Sequence, residues 1–257
     1  MTQVNFHVVI PARFASSRFP GKALALLDGR TVLERVWRQA GRSMAVDVLI
    51  ATDDERIATV ARNFGATVVL TAMTHRSGTE RAAEVADQRS WADDELVVNC
   101  QGDAPLIPPE SLDQVAALLA AYPQAAIATL CTPIEHEEDY RSPNVGKVVC
   151  DADGRALYFS RASIPAVGHA SGDAVTGAPE SFRHIGLYGY RAGALRRLAK
   201  AAPCALEITE SLEQLRALWL GLEIRVGRAR APHGPDVDTP EDLERAAEYL
   251  RRVGAVA

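Results

Sequence analysis

Apolar and polar positions along the chain follow two alternating rhythms. The continuous apolar run 6–10 has the composition of a strand buried on both faces, and 47–52, 67–70 and 95–100 read as the second, third and fourth strands. Between them the apolar positions recur at helical spacing. Val32, Leu33, Val36 and Ala40 predict a helix over 32–43, and 54–64 predicts a second one closed by Gly65. Ser77-Gly78-Thr79-Glu80 opens a third, with a hydroxyl cap and an acidic residue in its first turn. A helix over 109–122 and a strand over 126–133 follow. This alternation predicts an α/β fold with a mainly parallel sheet and helices on both faces. The rhythm then changes. Residues 145–150, 156–160 and 182–190 read as strands without helices between them, the first two joined by the turn Asp151-Ala152-Asp153-Gly154. Residues 135–190 are therefore expected to form an inserted antiparallel subregion within one domain spanning 1–257, with the Gly-, Ala-, Ser- and Pro-rich stretch 166–181 as a mobile loop. Helices return over 192–201 and 207–219, then a strand near 224–230 and a last helix over 240–253.

Composition narrows the class. The 257 residues are 47% hydrophobic and 24% charged, which excludes a disordered or collagen-like chain. A chain of this size buries enough surface to fold without staples. No apolar run is long enough to span a membrane, and a polar start leading straight into a strand gives no secretory signal, so a cytoplasmic protein is expected. The four cysteines, Cys100, Cys131, Cys150 and Cys204, are widely separated and read as free thiols in a reducing compartment. A net charge of −5 argues against nonspecific nucleic-acid binding but permits a local basic pocket for a small anion. Lysine occurs only at 22, 147 and 200 among the 28 basic residues, which draws attention to each of the three.

Two segments carry candidate chemistry. PARFASSRFPGK, residues 11–22, follows the first strand and holds Arg13, Arg18 and Lys22 among turn-forming residues. Backbone amides of such a loop can cradle phosphates while the three cations neutralise them. It is neither a GxxxxGK[ST] loop nor a GxGxxG turn. Gln101-Gly102-Asp103 sits at the carboxyl end of the fourth strand, where open α/β sheets bind ligands.

Taken together, PARFASSRFPGK, HRSGTERAAEVA, VNCQGDAPLI, ALYFSRASIP, FRHIGLYGYRA, LEQLRALW and DVDTPEDLERA occur in the order seen in the 3-deoxy-manno-octulosonate (KDO) cytidylyltransferases, the CMP-KDO synthetases. The chain resembles that family from about Phe6 to Val253. The resemblance implies a nucleotide-diphospho-sugar-transferase type of α/β sheet, with a dimerisation excursion in the 135–190 subregion and a homodimer. It implies Mg²⁺-dependent transfer of CMP from CTP to KDO, with release of pyrophosphate. It assigns Asp103 and Asp238 to the metal, Ala12, Arg13, Arg18, Lys22, Ser77, Gly78, Arg81 and Gln101 to the nucleotide, and Arg13, Lys22 and Asp103 to catalysis. For the acceptor, a carboxylate calls for Arg161 and His184 as donors beside Gln101, with Tyr188, Glu213 and Gln214 for the sugar hydroxyls.

Several residues keep a second reading. Ser77 is also a helix cap, and Asp238 in Asp-Thr-Pro-Glu-Asp is also a helix start with Pro240 in the first helical position, so capping and metal binding can belong to different residues, Thr239 and Asp238. Arg81 in a helix is also a surface residue. The acceptor half departs from the family pattern at Gly146, at Ala166-Val167-Gly168 and before LEQLR, where a basic residue is missing. An 8-amino KDO analogue, phosphonoformate, or a catalytically silent nucleotide-binding module are the alternatives left open.

Overall fold

The computed structural model describes residues 4–16, 18–166 and 181–254. The first half alternates as expected: β1 (His7–Ala12), a 3-10 turn (Lys22–Leu24), the small hairpin β2 (Leu26–Leu27) and β3 (Arg30–Thr31), α1 (Val32–Ala40), β4 (Asp47–Thr52), α2 (Glu55–Asn63), β5 (Thr67–Leu70), α3 (Gly78–Gln88), β6 (Leu96–Asn99) and α4 (Pro109–Ala121). The second half holds β7 (Ile127–Pro133), α5 (Glu137–Arg141), β8 (Lys147–Cys150), β9 (Ala156–Ser160), β10 (Phe182–Arg191), α6 (Ala192–Lys200), α7 (Ala205–Glu210), α8 (Gln214–Trp219), β11 (Ile224–Arg228) and α9 (Pro240–Gly254).

One sheet runs β11-β7-β10-β6-β1-β4-β5, with β8 and β9 added beside β10. Pairs β11·β7, β6·β1, β1·β4 and β4·β5 are parallel, whereas β10 is antiparallel to both β6 and β7. Strand periodicity splits the core into two layers. Val8 and Ile10 of β1 pack on the side of Leu33 and Val36 of α1 and Leu112 and Val115 of α4. Val9, between them, packs on the opposite side with Ala82 and Val85 of α3 and Leu195 of α6. All three β1 residues are fully buried, as a continuous apolar run on a central strand requires.

Two expectations are corrected. The antiparallel subregion is β8, β9 and the first half of β10, but β10 does not end there. It continues into the main sheet, where Tyr188–Arg191 pair with β6. A register shift between Ile185 and Tyr188 lets one strand serve both arrangements. The single helix expected over 207–219 is two, because Ser211 adopts a left-handed conformation (φ 51°, ψ 46°) that stops α7. Most of the expected mobile loop, 167–180, lies outside the described residues. Among those described, no helix is long and apolar enough to cross a membrane.

Candidate active site

Three chain segments meet at the carboxyl ends of β1 and β6, and glycine permits the approach. A Cβ on Gly102 would stand 2.6 Å from the Pro11 carbonyl oxygen, and one on Gly78 would stand 2.9 Å from Pro11 Cγ. The resulting cavity, of about 360 Å³, is lined by Ala12, Arg13, Arg18 and Lys22 of the first loop and by Ser77, Gly78 and Arg81 of α3. Gln101 and Asp103 close it behind β6, and Asp238 faces them from the start of α9. Every residue expected at the nucleotide or the metal thus lines one cavity. Ser16, His75 and Arg76 also line it and were not singled out from the sequence. The HRSGTER segment was the available signal for the last two.

Lys22 is the electrostatic centre. Its Nζ donates to Asp103 Oδ2 at 2.6 Å and to Asp238 Oδ1 at 2.8 Å, and Arg18 Nη2 lies 3.0 Å from Asp238 Oδ2. Burial disfavours the Lys22 ammonium, but the two carboxylates outweigh it and hold its pKa above the ordinary value. One cation therefore already bridges both carboxylates, so their spacing suits a cation held between them. Two carboxylates completed by phosphate oxygens is the donor set Mg²⁺ prefers, so the residues fit that ion. Among the described residues no group of three or more His, Cys, Asp or Glu forms a metal site of its own.

The capping half of the Asp238 reading goes to its neighbours. The cap of α9 is made by Thr239 and Asp242: Asp242 N donates to Thr239 Oγ1 at 3.2 Å, and Thr239 N donates to Asp242 Oδ2 at 2.9 Å. The Asp238 carboxylate faces Lys22 and Arg18 instead. Ser77 accepts from Glu80 N at 3.2 Å as the cap of α3 and also lines the cavity. Arg81 is not a surface residue. It is 3% exposed, bonded to Thr71 and 3.2 Å from Asp53 Oδ1.

Gln101 also belongs to a second cavity of about 690 Å³, beside the first, with Arg183, His184, His233 and Asp236 in its wall. His184 Nε2 lies 3.0 Å from Thr129 Oγ1, and burial pushes its pKa down to about 3, so the ring is a neutral hydrogen-bonding group. Burial in the cleft and the nearby Asp103 and Asp238 carboxylates push Asp236 up to about 7. The other acceptor candidates, Tyr188, Gln214 and Glu213, line neither this cavity nor the first, contrary to expectation. Tyr188 stacks obliquely on His184 with ring centres 5.2 Å apart. Gln214 is buried at the start of α8. Glu213, just before it, accepts from Ser77 Oγ at 2.8 Å and from Thr79 Oγ1 at 3.0 Å. Arg161 stands apart and lines neither cavity. Its guanidinium donates to the carbonyls of Pro143 at 2.9 Å, Glu210 at 2.8 Å and Ser211 at 3.3 Å, bracing β9 against the break between α7 and α8. Arg183, Asp236 and His233 were not singled out from the sequence, although Arg183 lies in FRHIGLYGYRA and Asp236 opens DVDTPEDLERA; His233 lies in neither segment.

The family model described as cytidylyltransferase matches residues 7–224. The chain belongs to the cytidylyltransferases. It is 52% identical over 248 residues to the 3-deoxy-manno-octulosonate cytidylyltransferase of Pseudomonas fluorescens, covering 95% of this chain and 98% of that one. It is 51% identical to the protein of the same name from Thioalkalivibrio sulfidiphilus, over 96% of this chain and 100% of that one. Among solved structures it is similar to a CMP:2-keto-3-deoxy-manno-octonic acid synthetase complexed with CTP, with a TM-score of 0.87, 34% identity and coverage of 97% and 99% of the two chains. These matches span the whole described fold and identify the chain as a member of the CMP-KDO synthetase family. It is an enzyme of the CTP-dependent nucleotidyltransferase class.

Proposed function

We propose that this cytidylyltransferase transfers CMP from CTP to KDO and releases pyrophosphate, with Mg²⁺ as its metal. The observation that carries the reading is the Lys22 ammonium between Asp103 and Asp238, in a cavity walled by the basic first loop and the start of α3. Relatives near 50% identity carry the name of the same reaction.

Phosphoryl-type transfer depends on positioning and on neutralising charge. Arg13, Arg18 and Lys22 line the cavity and neutralise the triphosphate, and the start of α3 brings backbone amides to the same wall. Mg²⁺, when bound by Asp103 and Asp238, supplies further charge neutralisation at the phosphates. Gln101, shared by both cavities, stands where the acceptor hydroxyl meets the nucleotide. The acceptor lies in the larger cavity, with neutral His184 in its wall and Tyr188 packed on that imidazole. Arg183 lines that space beside His184, as do Arg230 and Arg245, the last paired with Asp242, whereas Arg161 is occupied by carbonyls. Arg183 therefore meets the acceptor carboxylate.

We also read the protein as a homodimer. Among the described residues strand β9 pairs with β8 alone and leaves an edge, with Leu157 on it and Trp219 of α8 both exposed. Light scattering at micromolar concentration checks this, and a monomeric mass contradicts it. The acceptor is tested by competing KDO, its 8-amino analogue and phosphonoformate for one enzyme and comparing kcat/KM. KDO is expected to win. A preference of roughly a hundredfold for phosphonoformate would overturn the acceptor while leaving cytidylyl transfer in place.

A further inference from the structure

We infer that Glu213 sets the preference for CTP over UTP by fixing the direction of the Ser77 hydroxyl proton. The inference rests on the reading of the first cavity as the CTP site.

A serine hydroxyl has one proton to donate and two lone pairs to accept with. At Ser77 the proton goes to Glu213 Oε1, 2.8 Å away, and one lone pair takes the Glu80 backbone N–H at 3.2 Å. What Ser77 still offers is one lone pair, on a residue that lines the nucleotide cavity. Glu213 itself does not line that cavity. A group that can only accept favours a partner that donates. Cytosine presents its exocyclic N4 amino group as a donor, whereas uracil presents a carbonyl oxygen at the same place. A hydroxyl free to turn would serve either base.

The carboxylate that imposes this polarity is held on its far side. Its other oxygen, Oε2, accepts from Thr79 Oγ1 at 3.0 Å. Arg216 Nη2 lies 3.5 Å from Oε1 and is itself fixed by Glu207, whose Oε2 accepts from Arg216 Nε at 2.7 Å. Ser77 has little room to escape the arrangement, since a Cβ on the adjacent Gly78 would already press on Pro11 Cγ at 2.9 Å. The break at Ser211 matters here. A single continuous helix over 207–219 would not let Glu210 face Ser160 and Arg161 while Glu213 faces α3.

Glu213 is thus a positioning residue acting through Ser77, and its signature is a ratio. Calorimetry measures Kd for CTP and UTP, without acceptor, on the wild type, on Glu213→Ala and on Glu213→Met, the last keeping the volume of the side chain. Both variants are expected to lose roughly tenfold or more of the CTP-over-UTP ratio, as a Ser77 hydroxyl released from its acceptor can donate to the uracil carbonyl. Loosening of α3 alone would weaken both nucleotides alike and leave the ratio unchanged, and that result overturns the inference. A wild type that binds CTP and UTP equally also overturns it. A wild type that binds neither nucleotide removes the CTP reading itself, and the inference with it.

Discussion

The nucleotide side and the acceptor side of the cleft are built in different ways. On the nucleotide side, each cation or cap comes from a segment that follows directly on a strand: Arg13, Arg18 and Lys22 after β1, Ser77 and Gly78 at the start of α3 after β5, Gln101 and Asp103 after β6. The parallel register that aligns these strands also aligns their ends. On the acceptor side, Arg183 and His184 sit near the start of a strand that changes register just after them, and Glu213 and Gln214 begin a helix that a left-handed serine has separated from α7. There the geometry depends on irregularities, and short motifs carry less of it. One side is specified by local sequence and the other by how distant segments pack.

The contrast can be pressed hardest at the two carboxylates proposed to hold the metal. Asp103→Asn and Asp238→Asn each remove a ligand charge, and each is expected to cut pyrophosphate release by roughly a hundredfold or more with the fold intact by circular dichroism. Since Thr239 and Asp242 cap α9, Asp238→Asn should leave the melting temperature nearly unchanged. Near-normal turnover of that variant at limiting Mg²⁺ would return Asp238 to a structural part.

A smaller effect sharpens the acceptor side. Arg183→Gln is expected to raise the acceptor KM by about tenfold through loss of a charge-assisted hydrogen bond, with the CTP KM unchanged. Arg161→Gln should do the reverse. It loses its three carbonyl partners and so lowers the melting temperature by a few degrees, with little change in acceptor KM at a temperature where it stays folded. Steady-state kinetics on both variants would reverse the assignment if Arg161, rather than Arg183, moved the acceptor KM.

The smallest effect lies at the opposite end of β1 from Ala12, away from both cavities. His7 Nδ1 lies 2.7 Å from Asp47 Oδ1 and Nε2 lies 3.0 Å from Glu95 Oε2, so the protonated ring donates to both carboxylates, and it stacks on Trp91 with ring centres 4.1 Å apart. Burial disfavours its charged form, but the two carboxylates outweigh that cost and raise its pKa. The protonated ring therefore contributes stability that is fully present below the ordinary pKa of 6.5 and is lost as pH rises through the higher folded value. The melting-temperature gap between wild type and His7→Gln should be wider at about pH 5.5 than at about pH 8.5, with kcat unaffected at either. A gap that widens with pH would contradict the raised pKa.

The same division explains what could be read from the chain alone. The buried run of β1, the Ser77 cap and the basic loop after β1 are local signals, and the structure follows them closely. Asp238 was ambiguous because Asp-Thr-Pro-Glu-Asp fits both a capping pattern and a metal role, and the Thr239–Asp242 pairing in space is what takes the cap away from it. The central place of β10 was hidden, since an antiparallel strand between parallel ones leaves no mark on its own apolar pattern. The stop at Ser211 was hidden as well, because nothing but a left-handed backbone distinguishes that serine from a helical one. Arg161 was misleading for a related reason: the motif shows that an arginine is there, and the carbonyls that occupy it come from residues 143, 210 and 211.

Transfer of CMP to KDO is tested most directly by phosphorus NMR of one reaction containing the enzyme, CTP, Mg²⁺ and KDO. The expected result is a new phosphodiester resonance from CMP-KDO, growing in equal amount with pyrophosphate, absent without KDO and abolished by Asp103→Asn. Loss of CTP without a phosphodiester, or an unchanged spectrum from enzyme that binds CTP, would contradict it.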